Sequence, residues 1–475
     1  MYAGFLPSNE DETHQMFYWM YPAALANEQP IAIWLNGGPG ASSSLANFMF
    51  NGPLRITRTG ETMNDFLVSP TTDGTWVDSA TMIYVDQPVG TGFSYTTDPA
   101  GAPLLTTMDE AADEFLFFLD KLFDLYGDLP GKDMYLVGES YSGKYIPAFS
   151  NKILAAPEGK ARYKLMASLI GDPYVQPQRQ KTSMYQVPEA LNILDDNDMD
   201  QIATLNRRCW EASNNNDSGT AYDICSAIMG YIEDISGDVF AYDNRIFGYD
   251  WNPEEQVVID YLSSSDKVDD LYRHIHVENS TKVPIFEMSS DAVHDAFAGD
   301  LILNGINYYQ SLIDQQFPVL VYAGEFDAQD GPKTQDVWMK LLDLGEETDD
   351  FWNTPRQVYW VDTPNAIESE KNQIVGGYWR ESSYFTYLTV PKAGHFVPYN
   401  YYLPSFRFFT DYVTDQKLSC HAEFGNSCDV RDKLNDYMND CNGEHGAWLV
   451  GSGRCVCNDG WKFADCSLES DMMSD

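Results

Sequence analysis

Asp133-Met-Tyr-Leu-Val-Gly-Glu-Ser140-Tyr-Ser-Gly-Lys-Tyr-Ile-Pro147 reads as a buried strand, a tight turn and the start of a helix. Ser140 falls on the turn, where a hydroxyl is exposed to attack a carbonyl. The nucleophile-elbow pattern wants glycine two residues after the serine. Here Ser142 holds that place and Gly143 follows. By itself the stretch is equally a strand–helix turn opened by a glycine. What decides is what surrounds it.

More apolar, β-rich runs flank it: 31–35, 81–85, 165–170, 318–323 and 384–390. Such runs predict strands buried on both faces of an α/β sheet. Between two of them, Met108 to Tyr126 has helical spacing, with Phe115, Leu116, Leu119, Leu122 and Phe123 on one side and Gly127 to end it. The strand rhythm stops at about 181 and resumes after 310. The predicted organisation is a core over 1–180 and 311–415, a mostly helical lid over 181–310, and a small disulfide-rich module over 420–466.

The 475 residues are 44% hydrophobic and 14% aromatic, a folded composition. The 72 acidic against 29 basic residues give a formal charge of −43. That field opposes nucleic acid and anionic membranes, and low pH relieves it. An acidic compartment is therefore expected. No run is long and apolar enough to span a bilayer. The first residues carry no secretory leader, which taken literally argues for the cytosol. The eight cysteines argue for an oxidising compartment, with a leader missing from this chain. Cys209 and Cys225 are close enough in sequence to pair. Cys420, Cys428, Cys441, Cys455, Cys457 and Cys466 crowd the tail, and zinc fits their spacing poorly. Asn216 and Asn279 open glycosylation triplets.

A serine nucleophile needs a base, an orienting acid and an oxyanion site. His395 follows a predicted strand, between Gly394 and Pro398. His274 and His276 are weaker candidates, with no third ligand to make a metal site. Asp327 and Glu325 both follow the run ending at Ala323, and local sequence does not choose between them. The order serine, acid, histidine is that of α/β-hydrolases. Trp34-Leu-Asn-Gly-Gly-Pro-Gly40 lets backbone N–H groups approach an oxyanion, with the Tyr141 N–H as a second donor. No GxxxxGK[ST] or GxGxxG phosphate pattern is present.

These residues resemble the serine carboxypeptidase family. The match runs in family order through Tyr2–Pro7, Trp34–Gly40, Val85–Tyr95, Gly138–Pro147, Tyr322–Gly324 and Gly394–Tyr399. The resemblance implies an α/β-hydrolase fold, Ser140 as nucleophile, His395 as base and Asp327 as orienting acid. It implies Gly38 and Tyr141 as oxyanion donors, and Asn36, Gly37 and Glu139 as receivers of the substrate's terminal carboxylate. The implied function is release of C-terminal amino acids from a peptide or protein with a free C-terminus, without metal or cofactor. A protonated Glu139, able to donate to that carboxylate, favours acidic pH. The alternatives are acyl transfer and a non-catalytic binding or protective role. The family is secreted, lysosomal or vacuolar. The tail resembles an EGF-like module, implying Cys420–Cys441, Cys428–Cys455 and Cys457–Cys466 pairs and a protein or glycan partner.

The chain departs from the family in three places. Ala41 replaces a cysteine that ties the glycine loop to the lid, so lid anchoring is either weaker or made differently. Phe50 replaces a glutamate that partners Glu139. A lone acid predicts a smaller pKa rise and a weaker preference for a free C-terminus, unless neighbouring side chains supply the missing donor. Asp327-Ala-Gln-Asp330 lacks a family Cys-Asn pair, which alters the leaving-group side of the pocket.

Overall fold

The computed structural model describes residues 1–475 apart from 24–28, 61–64, 73, 157–161, 215–217, 249–252, 264–274, 276–285, 364–372, 424–425, 430–445, 450–453, 459–460, 463–467 and 470–475. In chain order the core elements are β1 (Tyr2–Pro7), β2 (His14–Tyr21), β3 (Ile31–Leu35), β4 (Leu54–Arg58), β5 (Phe66–Pro70), β6 (Thr81–Asp86) and β7 (Tyr95–Thr96). Then come α1 (Met108–Leu125), β8 (Met134–Glu139), α2 (Ser142–Ala155) and β9 (Leu165–Gly171). After the insertion follow β10 (Val319–Gly324), β11 (Gln357–Asp362), β12 (Gln373–Glu381) and β13 (Phe385–Val390).

Eleven strands form one sheet in the order β1-β2-β6-β3-β8-β9-β10-β13-β12-β11, with β7 beside β2. The centre, from β6 to β13, is parallel. Both flanks are antiparallel. Every residue of β3, β6, β8, β10 and β13 is buried, as continuous apolar runs require between two helical layers. On one face α1 and α2 pack through Phe115 stacked on Phe149, ring centroids 4.6 Å apart. On the other, Trp76 stacks at 4.0 Å on Phe409 of the C-terminal helix Tyr402–Asp415. Helix α1 starts at a capping box, Thr107 and Glu110, which meets two otherwise unpaired N–H groups.

The insertion between β9 and β10 is mostly helical and contains the helices Asp196–Ser213 and Ser218–Ser236. A Cys209–Cys225 disulfide joins them, Cα atoms 4.7 Å apart. Asn216 and Asn279 lie outside the described residues. At Ala41 the anchor is made differently, by backbone. Ala41 bridges Ser289, Ser42 N–H donates to Met288 O at 2.8 Å, and Ser290 N–H to Gly40 O at 2.9 Å. Deeper, Lys144 of α2 pairs with Asp300 of the insertion at 3.2 Å, both buried. Lys144 also donates to the Asp300 carbonyl at 2.5 Å, and Tyr141 Oη donates to the same carboxylate at 2.5 Å.

The tail corrects two expected disulfides. Cys420 bonds Cys428, not Cys441, and Cys428 is therefore unavailable to Cys455. The segment between them is fastened to the sheet's edge rather than to the tail. Gln373 of β12 donates to His421 O and accepts from Glu423 N–H and Asn426 Nδ2. Val358 N–H of β11 donates to Cys428 O at 3.0 Å. Cys457 is disulfide-bonded, whereas Cys441, Cys466 and the Cys455 side chain lie outside what is described. The tail itself shows a hairpin, Gly446–Leu449 with Arg454–Cys457, but no EGF-like arrangement among the described residues.

Removing one partner of a buried ion pair strands the other charge, at a cost of about 3–5 kcal/mol. Lys144→Met should therefore lower the unfolding free energy by about 3 kcal/mol in chemical denaturation. The double variant Lys144→Met/Asp300→Leu should recover much of that loss.

Candidate active site

Parallel strands end on one edge of a sheet, and ligands collect outside their carboxyl ends. Five such ends meet here: β3 leads into Asn36, β8 into Ser140, β9 into Asp172, β10 into Asp327 and β13 into His395. Ser140 has φ of 66°, a left-handed backbone uncommon outside glycine. The turn holds it there: Ser140 N–H donates to Gly171 O, and Gly143 and Tyr174 N–H both donate to Ser140 O. Ser142 fits where glycine was expected because its hydroxyl donates to Leu35 O at 2.5 Å.

His395 Nδ1 lies 2.7 Å from Asp327 Oδ2, and both residues are buried. Asp327 Oδ1 accepts from the N–H groups of Gln329 and Asp330. Glu325 is exposed, so geometry separates the two acids that local sequence left open. Burial pulls His395 down, but the Asp327 charge and hydrogen bond outweigh it and push the imidazole up to about 9. Tyr242 of the insertion covers the imidazole, ring centroids 4.5 Å apart, and its carbonyl accepts from His395 N–H.

Ser140 and His395 line one cavity of about 410 Å³ with Asn36, Gly37, Gly38, Glu139 and Tyr141. A Cβ on Gly37 would meet Tyr141 N at 2.6 Å and Ser140 Cβ at 2.8 Å, so the glycine loop lies directly against the serine turn. No described residue accepts a hydrogen bond from the N–H of Gly38 or Tyr141. Asn36 Oδ1 accepts from Trp34 Nε1 at 3.0 Å, which leaves its NH₂ group turned to other partners. Glu139 Oε2 has no hydrogen-bond partner among the described residues. Phe50 packs on Phe396 at 5.2 Å and on Tyr399 at 6.3 Å, so it completes an aromatic wall. Glu139 has a raised pKa without a second glutamate beside it. Burial pushes Glu139 up to about 8, against a downward pull from His395.

Several residues here carried no sequence signal as parts of a site. Buried Asp86 braces the glycine loop, accepting from Ser42 Oγ at 2.7 Å, Ser43 N–H at 2.9 Å and Phe93 N–H at 3.0 Å. Asp172, Asp327 and His395 bring donor atoms within 4.8 Å of one another, the one such group among the described residues with metal-ligand potential. Its atoms are already engaged: His395 with Asp327, and Asp172 Oδ1 with Gly324 N–H at 2.9 Å. Burial, then the Asp327 charge, drives the Asp172 pKa up. Two adjacent buried carboxylates do not both ionise, and Asp327 is the one held by an imidazole and two N–H groups.

Serine, buried imidazole–carboxylate pair and glycine loop at the carboxyl edge of a parallel sheet define an α/β-hydrolase. Residues 1–415 match the serine carboxypeptidase family, and the chain belongs to it. It is similar to the pheromone-processing carboxypeptidase KEX1 of Ajellomyces capsulatus, 28% identical over 424 residues. That match covers 84% of this chain and 63% of the fungal protein's length. It is also similar to serine carboxypeptidase S10 family member 1 of Dictyostelium discoideum, 28% identical over 400 residues, 83% of this chain and 90% of the relative. The crystal structure of KEX1(delta)p, a prohormone-processing carboxypeptidase from Saccharomyces cerevisiae, superposes with a TM-score of 0.73 at 20% identity. It covers 90% of this chain and 93% of that one, and shows the fold to be shared.

A Cβ on Gly324 would collide with the Gly394 carbonyl. Gly324→Ala should push the His395 loop away from Asp327 and slow fluorophosphonate labelling of Ser140 about 100-fold, the cost of an ångström-scale misplacement. Circular dichroism should show the fold retained.

Proposed function

We propose that the chain is a serine carboxypeptidase, removing C-terminal residues from peptides one at a time. The observation that carries this is one cavity lined by Ser140, by His395 with Asp327 behind it, and by a buried Glu139, whose carboxyl burial pushes up to about 8, together with Asn36. Ser140 attacks the last peptide carbonyl. His395 takes the hydroxyl proton at its second ring nitrogen while Asp327 holds the first. The N–H groups of Gly38 and Tyr141 receive the oxyanion. His395 then returns the proton to the departing amino acid, and water, deprotonated by the same imidazole, releases the shortened peptide.

The Asn36 amide, the Gly37 backbone and the Glu139 hydroxyl receive the terminal carboxylate. A carboxylate cannot accept from an ionised Glu139, so the proton is essential to this contact. Because burial raises Glu139 from its ordinary value to about 8, the proton stays through neutral pH and leaves in alkali. The raised pKa of His395 pulls the other way, since a base must be neutral. The acidic preference we assign therefore rests on Glu139 and not on the base.

The Cys209–Cys225 and Cys420–Cys428 disulfides support a secretory-pathway location, with secreted, lysosomal and vacuolar sites all compatible. The tail beyond residue 429, with its bonded Cys457, is our candidate for a protein or glycan contact.

Matched peptides with free and amidated C-termini test the reading. The free peptide should lose residues sequentially and the amidated one should resist; equal internal cleavage of both would overturn the proposal. Ser140→Ala should lower kcat by about a millionfold. For the free peptide, KM should climb as pH rises through about 8, where Glu139 loses its proton. Glu139→Gln, which keeps a donor at every pH, should abolish that climb.

A further inference from the structure

Two lysines are buried near the cavity, and they are treated differently. Lys144 has its acid, Asp300, at 3.2 Å. Lys181, which ends the helix Pro177–Lys181 after β9, has none within 4.0 Å among the described residues. It is 4% exposed and lines the cavity together with Ser140 and Tyr141. Of its three N–H donors one is used among the described residues, on Ser226 Oγ at 2.9 Å. The ammonium otherwise sits over aromatic rings, 4.5 Å from Tyr222 and 5.9 Å from Tyr174. Burying a cation is costly, and here no carboxylate among the described residues comes within ion-pair distance, although the more distant Asp330 charge favours the ammonium.

We propose that Lys181 determines specificity by binding the side-chain carboxylate of a substrate residue, the one immediately before the scissile bond. The proposal rests on the carboxypeptidase reading and adds to it a substrate class: peptides with Asp or Glu in the penultimate position. The side of the cleft is assigned from the rings. Asn36, Gly37 and Glu139 take the terminal carboxylate, which places the departing residue at their end. Lys181 lies 5.9 Å from the ring of Tyr174, which stacks at 6.0 Å on that of Tyr141, and Tyr141 is the proposed oxyanion donor to the acyl portion. The side chain carried by that portion is therefore the one assigned to Lys181.

The acid nearest in chemistry is Asp330, from the loop after β10. Its oxygens are taken by Gln180 Nε2 at 3.0 Å and Gln329 Nε2 at 3.4 Å, and it acts on Lys181 through charge at a distance beyond an ion pair. Burial pushes Asp330 up to about 7, while burial brings Lys181 down only to about 8. Burial thus disfavours the charge on both groups, while each charge favours the other. Ser226 and Tyr222, from the helix Ser218–Ser236, supply a hydroxyl and a ring face but no carboxylate to the ammonium. A merely structural Lys181, stapling that helix to its neighbour, would be indifferent to the substrate.

The test is kcat/KM at pH 5 for release of C-terminal leucine from peptides differing only in a penultimate Glu, Gln or Lys. Wild type should favour Glu over Gln about tenfold, the scale of a charge-assisted hydrogen bond, with Lys poorest. Lys181→Gln should erase the Glu/Gln ratio, Lys181→Arg should keep it, and Lys181→Glu should turn the preference to Lys. An equal wild-type rate on Glu and Gln peptides would overturn the proposal while leaving the carboxypeptidase reading intact, and needs no variant to fold. So would a Glu/Gln ratio unchanged in Lys181→Gln, or a Lys181-dependent gain for Glu in the terminal position instead. Wild type that labels at Ser140 with a fluorophosphonate but releases leucine from none of the peptides would overturn both readings together.

Discussion

The registered pair β10 and β13 is the constraint on which the site depends. Val319 to Gly324 run in step with Phe385 to Val390, so both strands leave the sheet at the same level. The loops beyond them stay joined by backbone: Glu325 N–H donates to Val390 O and Phe326 N–H to Ala393 O. Gly324 has no side chain to keep them apart. The Asp327–His395 contact is the continuation of a strand ladder past the end of its strands. The insertion then grips both loops, since Asn244 N–H donates to Phe326 O, Ala328 N–H to Ala241 O and His395 N–H to Tyr242 O. A lid segment is thereby built into the catalytic frame.

The same edge gathers more buried acid than a low-dielectric interior tolerates as charge. Glu139, Asp172, Asp327 and Asp330 all lie there. Full ionisation of the group is ruled out by burial and mutual repulsion. Asp327 has two backbone N–H groups and an imidazole to hold its oxygens. The others are pushed toward neutrality. One anion orients the base and a neutral neighbour is left able to donate. That division of labour follows from which carboxylates have donors, and it needs no difference in residue type.

The sequence was readable where one local pattern carried one meaning. The runs at 31–35, 81–85, 134–137, 165–170, 318–323 and 384–390 are continuous and apolar because they are covered on both faces, and all are strands. Ser140, His395 and the glycine loop follow such runs directly. The antiparallel flanks were not read: β2 sits between β1 and β6, and β11 with β12 holds a bulge between Tyr359 and Trp360 that breaks the alternation. The tail misled because cysteine spacing says nothing of what else holds the chain. Gln373 and Val358 bind the Cys420–Cys428 loop to the sheet edge before any module begins. Lys181, Asp172 and Asp330 were silent for a related reason. Each acquires its character from neighbours distant in sequence, and no local motif encodes a missing partner.

Phe50 shows how such a site survives losing a member. A second glutamate would raise the pKa of Glu139 by sharing a proton. Phe50 instead packs on Trp34, Phe396 and Tyr399 as part of an aromatic wall. Desolvation alone then disfavours the charged form, and the result has the same sign. The two solutions differ in what they demand. A proton-sharing pair keeps its second acid available as an acceptor, whereas the aromatic wall leaves Glu139 with the Val397 backbone N–H and an unpaired oxygen. That oxygen has no partner among the described residues, and Lys181 has no carboxylate within ion-pair distance among them. Substrate that carries a carboxylate to each of them would satisfy the two unmet groups of the cavity at once.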